Sequence, residues 1–333
     1  MIRVRELHSY ILFPLALLYW GIVYWRDLFY NFNFFISHKV NSKVISVGNI
    51  TLGGTGKTPA VIFLASLLTK IGKKVAILSR GYGRQTKGLL LVSRGDGLRC
   101  QWEDCGDEPY MMSEKLPNLP IVVDENRYRG SLYLESNFDL DIIILDDGFQ
   151  HRSLHRDLDI VLIDGEDNLN DHKLLPYGIL REPWNNIKRA NAIVVTKKKP
   201  GPLLKRRIEE ISLPVIETRF SPVLRYSDKN SKVKGKSAYL VSGLGNPNFF
   251  KKTIEHLGFK IRGITEFRDH YNYRQDDILR LQTLAKESGA SIMLTTEKDW
   301  LKIKKLKPQI IFGIVDIKMK VLDKDLLLNL IDL

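Results

Sequence analysis

The stretch VISVGNITLGGTGKTPAV, residues 44–61, decides the fold of this chain. It begins with a β-branched run typical of a buried strand, passes through a glycine-rich turn, and reaches Gly56-Lys57-Thr58, which predicts the start of a helix. Glycines in such a turn let backbone N–H groups point inward without Cβ clashes, and the N-terminus of the helix adds partial positive charge. The stretch therefore predicts a loop that cradles the phosphates of a nucleotide.

Two side chains of this loop carry specific expectations. Lys57 is expected to reach the β- and γ-phosphates, and the Thr58 hydroxyl is expected to bind Mg²⁺. The general pattern G-x-x-x-x-G-K-[ST] has glycine where this chain has Thr51. The alternative interpretation is a strand-to-helix turn that binds no ligand. The predicted nucleotide-binding residues of the loop are Thr51, Leu52, Gly53, Gly54, Thr55, Gly56, Lys57 and Thr58.

Length and charge narrow the class of protein. A chain of 333 residues exceeds a comfortable single core, which favours two domains. With 51 Lys and Arg against 38 Asp and Glu the net charge is +13, which favours anionic partners: nucleotides, nucleic acid or acidic lipid head groups. The only two cysteines, Cys100 and Cys105, have no second pair nearby, so neither a zinc site nor a disulfide framework is expected.

The N-terminal segment differs from the rest of the chain. Residues 10–25 (YILFPLALLYWGIVYW) form a run of sixteen residues without charge and rich in aromatic side chains. A membrane span needs about 20 apolar residues, so this run is short for one. No small-residue cleavage site follows it, which disfavours a removable signal peptide. The remaining interpretations are a helix in the membrane interface, which the aromatic residues favour, and a helix packed on the protein's own core.

Apolar strands and helices alternate after the loop, which predicts a parallel α/β sheet. A looser, basic stretch at residues 216–236 is typical of a connection between domains. We therefore predict an α/β fold: a P-loop NTPase-like parallel sheet domain with an N-terminal hydrophobic helix and a second, smaller α/β domain. The predicted boundaries are 1–36 for the membrane-associated helical segment, 37–215 for the P-loop domain, 216–236 for the linker and 237–333 for the smaller domain.

Polar residues that follow the apolar strands are candidates for chemistry, because strand ends line the ligand crevice of a parallel sheet. Asp146 and Asp147 end one such strand, where a P-loop protein places its second Mg²⁺ ligand. The acidic turn at residues 106–109 is a candidate source of a base that accepts an alcohol proton. Asp269-His270, in the second domain, is a weaker candidate; each of these sites has the alternative of an ordinary surface turn.

Taken together, the motifs resemble those of the tetraacyldisaccharide 4'-kinases. Enzymes of this family phosphorylate the lipid A precursor at the cytoplasmic face of the inner membrane of Gram-negative bacteria. The family also tolerates a residue other than glycine at the position of Thr51. The motifs that carry the resemblance are VGNITLGGTGKTP (47–59), SRGYGR (79–84), GDEP (106–109), LDDGFQHR (145–152), LLPYGILREP (174–183), SGLGNPNFF (242–250), FRDHYNY (267–273) and TTEKD (295–299).

The resemblance implies a role for particular residues. It implies that Asp107 is the general base for the sugar hydroxyl and that His270 assists it. It implies that Arg181 faces phosphate oxygens, and that Gln150 and His151 lie toward the disaccharide. The acidic Mg²⁺ site that it implies consists of Asp146, Asp147 and Glu182, together with Thr58.

The resemblance also implies a substrate and a location. The expected reaction moves the γ-phosphate of ATP, with Mg²⁺, to the 4'-hydroxyl of a tetraacyldisaccharide 1-phosphate. The expected partners are this acylated lipid and the cytoplasmic face of the inner membrane, with no nucleic acid and no obligate protein partner. Two rivals remain: a P-loop switch GTPase or ATPase, and a nucleic-acid-stimulated ATPase. Against the first, Thr196 is followed by three lysines where guanine recognition needs an acid; against the second, the basic residues are dispersed.

Overall fold

The computed structural model describes residues 4–228, 235–245 and 247–331, with side chains from residue 12 onward. The chain divides into two units, which we call unit one (Met1–Phe220 and Met319–Leu333) and unit two (Ser221–Lys318). Residues 229–234 of the predicted linker and Asn246 of the SGLGNPNFF motif lie outside the described residues, as do residues 1–3 and 332–333. The predicted domain boundaries stay a prediction.

Helices and strands alternate along most of the chain. The helices are α1 (Val4–Asn31), α2 (Lys57–Lys70), α3 (Trp102–Cys105), α4 (Asp107–Lys115), α5 (Arg127–Asn137), α6 (Pro202–Glu209), α7 (Pro247–His256), α8 (Gln275–Glu287), α9 (Glu297–Ile303) and α10 (Lys324–Leu330). The strands are β1 (Lys43–Asn49), β2 (Val75–Ser79), β3 (Leu90–Arg94), β4 (Pro120–Val123), β5 (Ile142–Asp146), β6 (Leu158–Asp164), β7 (Ala192–Thr196), β8 (Val215–Tyr226), β9 (Ser237–Ser242), β10 (Lys260–Glu266), β11 (Ile292–Thr296) and β12 (Phe312–Val321).

The sheet of unit one has the strand order β8-β7-β6-β1-β5-β2-β4-β3. All neighbouring strands from β8 to β4 run parallel, and only the edge strand β3 is antiparallel to its neighbour. Strand β1 lies between β5 and β6, so Val47 pairs with Asp146 on one side and with Ile160 on the other. This register brings the phosphate loop and the end of β5 to the same edge. The predicted parallel α/β fold is confirmed.

The central strands of unit one are buried on both faces, as expected for a parallel sheet covered by helices. Every residue of β5 and β6 is buried, which explains why these strands are mostly apolar, with aspartates at positions 146, 159 and 164. Helix α2 covers one face with Val61, Leu64 and Leu68. The core therefore holds both ends of the phosphate loop on rigid elements.

Unit two has its own parallel sheet, with the order β10-β9-β11-β12. Its core on one face contains Tyr239, Met293 and Phe312, packed with Tyr273 and Trp300. Strand β9 and helix α7 lie in the predicted smaller α/β domain, residues 237–333. Strands β8 and β12 each contain residues of both units.

Helix α1 begins at Val4 and ends at Asn31, and it contains Pro14. Ala16 and Val23 are buried, whereas Leu18 and Ile22 are each 68% exposed. A helix with one buried apolar face and one exposed apolar face is unusual for a soluble surface. Within the described residues, no helix has the length and apolar character needed to cross a membrane.

Candidate active site

The phosphate loop joins Asn49, the last residue of β1, to Lys57, the first residue of α2. Gly56 caps the helix with φ +88°, and a Cβ at this position would lie 2.3 Å from the Phe220 ring, so only glycine fits. Residues 179–181 support the start of the loop: the Leu52 N–H donates to Ile179 O at 2.6 Å, and the Arg181 N–H donates to Ile50 O at 2.7 Å. Backbone hydrogen bonds to the 179–181 segment therefore fix the start of the loop.

The Lys57 ammonium is held between two side chains. Its Nζ lies 3.1 Å from Asn49 Oδ1 and 3.6 Å from Asp147 Oδ1. Asn49 is oriented in turn by donating from Nδ2 to Thr51 O at 2.8 Å. Thr58, which follows Lys57, is buried in the first turn of α2. Lys57 and Thr58 thus lie in the first turn of α2, directly after the glycine turn.

Asp146 and Asp147 have opposite electrostatic environments. Asp146 is buried; its Oδ2 accepts from Ser79 Oγ at 2.8 Å, and its Oδ1 has no hydrogen-bond partner among the described residues. Burial, together with the nearby carboxylates of Glu108 and Asp147, raises the pKa of Asp146 to about 7. An unpaired carboxylate oxygen with excess negative charge around it is a fitting ligand for a hard divalent cation such as Mg²⁺.

Asp147 is instead paired with cations. It adopts a left-handed backbone conformation, φ +51°, and its carboxylate accepts from Arg181 Nη1 at 2.9 Å and 3.1 Å. Burial alone would raise the pKa of Asp147, but the charges of Lys57 and Arg181 outweigh it and hold the pKa below its ordinary value. Arg181 and Lys57 therefore converge on one carboxylate beside the loop.

Glu182 lies apart from this pair. Its side chain is fully buried; Oε1 accepts from Arg26 Nη2 at 2.8 Å, and Oε2 accepts from Asn186 Nδ2 at 2.9 Å and from Arg189. In the part of the chain that the structure describes, no three His, Cys, Asp or Glu side chains are grouped to hold a metal ion. Both carboxylate oxygens of Glu182 thus have protein partners, and its place in the Mg²⁺ site that the resemblance implies stays a prediction.

Asp107 begins helix α4 and is only 5% exposed. It follows Gly106, which has φ +93° and packs the acidic turn against the 79–84 loop so closely that a Cβ at this position would lie 2.8 Å from Tyr82 O. That loop carries Ser79, which donates to Asp146. Three motifs that are separate in sequence therefore meet near the end of β5.

Gln150 and His151 continue the chain after β5. The Gln150 side chain donates from Nε2 to Asn49 O at 2.9 Å, which ties this turn to the phosphate loop. Burial, with the nearby cations Arg127 and Arg80, lowers the pKa of His151 to about 4, so its imidazole is neutral at pH 7. A neutral imidazole can both donate and accept a hydrogen bond, as recognition of a sugar hydroxyl requires.

His270 belongs to unit two, where it adopts φ +60°. Its Nε2 lies 3.3 Å from Lys298 Nζ, and Lys298 also contacts Asp269 Oδ1 at 2.7 Å. Because an ammonium only donates, this contact requires His270 Nε2 to accept. Asp299, which follows Lys298, links two other segments of unit two. Its carboxylate accepts from Tyr273 OH at 3.0 Å and from Thr296 Oγ1 at 2.6 Å. The pairing of His270 with Asp107 stays a prediction.

Sequence reasoning missed Arg127. This side chain is 1% exposed; its Nη1 donates to Asp124 O, and its Nε and Nη2 have no partner among the residues described. Burial lowers the pKa of Arg127 to about 10, although Asp146 and Asp147 oppose the shift, so the group remains a cation at pH 7. The signal that could have found it was the polar run at 124–127 directly after β4, at the same sheet edge as the loop.

Comparison with known proteins identifies the family of this chain. Residues 8–332 match the family described as tetraacyldisaccharide-1-P 4'-kinase. The tetraacyldisaccharide 4'-kinase of Aquifex aeolicus is 38% identical over 310 residues, covering 88% of this chain and 89% of the relative. That of Halothermothrix orenii is 35% identical over 319 residues, covering 88% and 82%.

A solved structure gives the same result for the fold. The crystal structure of LpxK from Aquifex aeolicus in complex with ATP is similar with a TM-score of 0.76 and 37% sequence identity, and the match covers 96% of each chain. Family, fold and the phosphate loop all point to one assignment. The chain belongs to the tetraacyldisaccharide-1-P 4'-kinase family.

Proposed function

We propose that the protein transfers the γ-phosphate of ATP to the 4'-hydroxyl of a tetraacyldisaccharide 1-phosphate. The observation that carries this proposal is the convergence of Lys57 and Arg181 on Asp147, beside a phosphate loop and an unpaired Asp146 oxygen. A kinase needs cations around the transferred phosphoryl group and a metal ligand next to them. The names of the relatives supply the acceptor.

ATP is proposed to lie with its phosphates on the loop and its nucleoside in an adjoining cavity. A cavity of about 260 Å³ lies in unit one. Two contacts join the walls of this cavity to the loop. Thr196, next to the lining residue Val195, donates from Oγ1 to Thr55 O at 2.8 Å, and the Phe220 ring lies beside Gly56. An aromatic ring and a carboxylate suit a base and a ribose, respectively. The lining residues are Val195, Lys197, Lys198, Lys199, Glu217, Thr218, Arg219, Phe220 and Leu322.

Mg²⁺ is proposed to bind at Thr58 and Asp146. The Thr58 hydroxyl is a hard oxygen ligand at the start of α2, and Asp146 Oδ1 is an acceptor that no protein donor satisfies among the described residues. The ion would neutralise charge on the β- and γ-phosphates. Asp147 contributes differently, because it holds Lys57 and Arg181 at the loop.

The remaining residues act on the transferred group and the acceptor. Asp107 is proposed to accept the proton of the sugar hydroxyl, since its turn packs beside the loop that carries Ser79. The buried guanidinium of Arg127 has two donor nitrogens, Nε and Nη2, without a partner among the described residues and available for phosphate oxygens. Positioned cations of this kind stabilise the negative charge that spreads over the phosphoryl oxygens in the transition state.

The decisive experiment follows labelled γ-phosphate from ATP into tetraacyldisaccharide 1-phosphate presented in detergent micelles. We expect phosphorylated lipid to form only when Mg²⁺, ATP and the lipid are all present. Steady ATP hydrolysis that does not respond to the lipid would instead favour a switch ATPase. Hydrolysis stimulated by DNA or RNA would favour the nucleic-acid-dependent alternative.

We further propose that α1 binds the cytoplasmic face of the inner membrane without crossing it. Its exposed side carries large apolar residues, and the following residues extend this surface, with Phe34 74% exposed. Apolar side chains in such a patch reach the boundary of head groups and acyl chains, where an acylated sugar is found. The net charge of +13 adds attraction to anionic lipids.

Leu18→Asp combined with Ile22→Asp tests this surface. Both residues are 68% exposed and lie one turn apart, so the substitutions add charge without opening the core. We expect most of the protein to move from the membrane fraction to the soluble fraction, because a buried aspartate costs about 2.5–3.5 kcal/mol at a bilayer centre and part of that at its interface. Sedimentation with vesicles of anionic phospholipid measures the change.

Leu279→Asp provides the matched control. Leu279 is an exposed leucine of α8 in unit two, 54% accessible, and lies outside α1. This variant should sediment like the wild type. If the α1 variant also sediments like the wild type, another surface binds the membrane.

A further inference from the structure

Six side chains form a buried and half-buried ion cluster on unit one, which we call the anchor cluster. It joins the last third of α1 to two other segments. One follows β5 and carries Arg152, and the other follows Arg181 and carries the remaining members. The members are Arg26, Asp27, Arg152, Glu182, Asn186 and Arg189.

Glu182 is the centre of the anchor cluster. No part of its side chain is exposed, whereas the side chain of Arg26 is 27% exposed. Arg26 Nη2 bridges two carboxylates, lying 2.8 Å from Glu182 Oε1 and 2.9 Å from Asp27 Oδ1. Asn186 repeats the bridge from the other side, at 2.9 Å from Glu182 Oε2 and 2.7 Å from Asp27 Oδ2. A fully buried carboxylate requires such partners, because an unpaired charge there is strongly destabilising.

The anchor cluster adjoins the phosphate site through one residue. Arg181, the neighbour of Glu182, makes three contacts in three directions: its N–H donates to Ile50 O at 2.7 Å, its O accepts from Tyr19 OH at 2.7 Å, and its guanidinium holds Asp147 at 2.9 Å. Asp147 in turn lies 3.6 Å from Lys57 Nζ. An unbroken series of polar contacts thus runs from α1 to the lysine of the loop.

We infer that α1 positions the phosphate site, and that Glu182 serves as its anchor and not as a metal ligand. In this inference, which rests on the proposed function, Arg26 and Tyr19 are positioning residues. They fix the 181–182 segment, and that segment sets the place of the Arg181 guanidinium and of Asp147. The helix proposed to contact the membrane is therefore also a structural part of the ATP site.

The inference predicts that changes in α1 alter nucleotide binding when no lipid is present. Arg26→Ala removes the bridge and leaves Glu182 with fewer partners. We expect the Kd for ATP to rise by roughly 2- to 30-fold, the range for coupling carried by side chains that touch neither ligand. Equilibrium dialysis with labelled ATP and Mg²⁺, in detergent and without lipid, measures it.

The conservative variant and the double variant show whether the two residues act together. Arg26→Lys keeps the charge but has a single ammonium in place of the guanidinium fork, so an intermediate Kd is expected. Glu182→Gln should raise the Kd like Arg26→Ala, and the double variant should be no worse than the poorer single variant, because the two act through one contact. Multiplicative losses would contradict the inference.

The Mg²⁺ concentration that activity requires distinguishes a positioning role of Glu182 from a role as a metal ligand. If Glu182 is an anchor, the Mg²⁺ concentration for half-maximal activity remains within about twofold of the wild type in Glu182→Gln. A metal ligand, or a residue that orients one, typically changes affinity 10- to 100-fold. A rise of that size in Glu182→Gln, with no change in Arg26→Ala, would overturn the inference.

Trp25→Ala is the matched control, since Trp25 is adjacent to Arg26 in α1 but 55% exposed and outside the anchor cluster. It should leave the Kd for ATP unchanged. If Arg26→Ala lowers only the Tm and keeps the wild-type Kd, the cluster is merely structural and the inference fails. If the wild type itself binds no ATP, the proposed function fails first, which the dialysis shows directly.

Discussion

Lys57→Ala is expected to lower phosphate transfer by at least ~10²–10³-fold, the usual cost of removing one preorganised group from a developing charge. Lys57 Nζ lies between Asn49 Oδ1 and Asp147 Oδ1, so the cation is already held at the loop before the nucleotide binds. The transferred phosphoryl group carries its charge on oxygens that this ammonium faces in the proposed complex. The measurement is kcat with saturating ATP and lipid.

The fold should survive this substitution. Asp147 keeps its two contacts to Arg181 after Lys57 is removed, so this carboxylate is not left without a cation. Lys70→Ala is the matched control, because Lys70 is an exposed lysine in the last turn of the same helix. Its kcat should equal that of the wild type. Near-normal transfer by Lys57→Ala would refute the assignment of the loop to ATP.

The phosphate loop and the parallel sheet were predictable from the sequence because their signals are local. A β-branched run, a glycine turn and a Gly-Lys-Thr helix start follow one another within residues 44–61, and each depends on its immediate neighbours. Strand β7 has an equally local signal, the apolar and β-branched run AIVVT. Similar reasoning placed Asp146 at the end of β5, since carboxylates at strand ends are visible in sequence.

Glu182 shows where such reasoning stops. A glutamate next to an arginine is compatible with a metal ligand and with an ion pair, and the sequence does not distinguish them. The partner that the structure gives Glu182, Arg26, is 156 positions away in a segment whose sequence indicates only a hydrophobic helix. Arg127 was missed for the same reason: its burial and its electrostatic interaction with Asp146 and Asp147 exist only in the folded sheet.

The anchor cluster also changes how the role of α1 is best tested. Deleting the helix would remove its apolar surface, but it would also remove Arg26 from the buried Glu182 carboxylate and Asp27 from Asn186. Loss of activity after such a deletion would then have two causes, membrane detachment and a disturbed ATP site. Point substitutions on the exposed face separate them, because they leave the anchor cluster intact.

Asp107→Ala is expected to lower kcat by roughly 10²- to 10⁴-fold, the range for a lost general base, with the Kd for ATP unchanged. Asp107 is the first residue of α4 and is 5% exposed, in a turn packed beside the loop that carries Ser79. Glu114→Gln, at an exposed carboxylate near the end of the same helix, is the matched control and should retain full kcat. A large rise in the Mg²⁺ requirement of Asp107→Ala would identify a metal ligand instead.

His270→Ala is expected to cost less than Asp107→Ala, and the double variant is expected to be little worse than Asp107→Ala alone. Residues that act as one unit in a transition state are not additive, because once the base is lost its assistant has nothing to assist. Asp107 belongs to unit one and His270 to unit two. Non-additive kcat values would therefore demonstrate that both units contribute to a single transition state. Multiplicative losses would show instead that His270 acts elsewhere, and Asp107 would then have to account for the proton transfer alone.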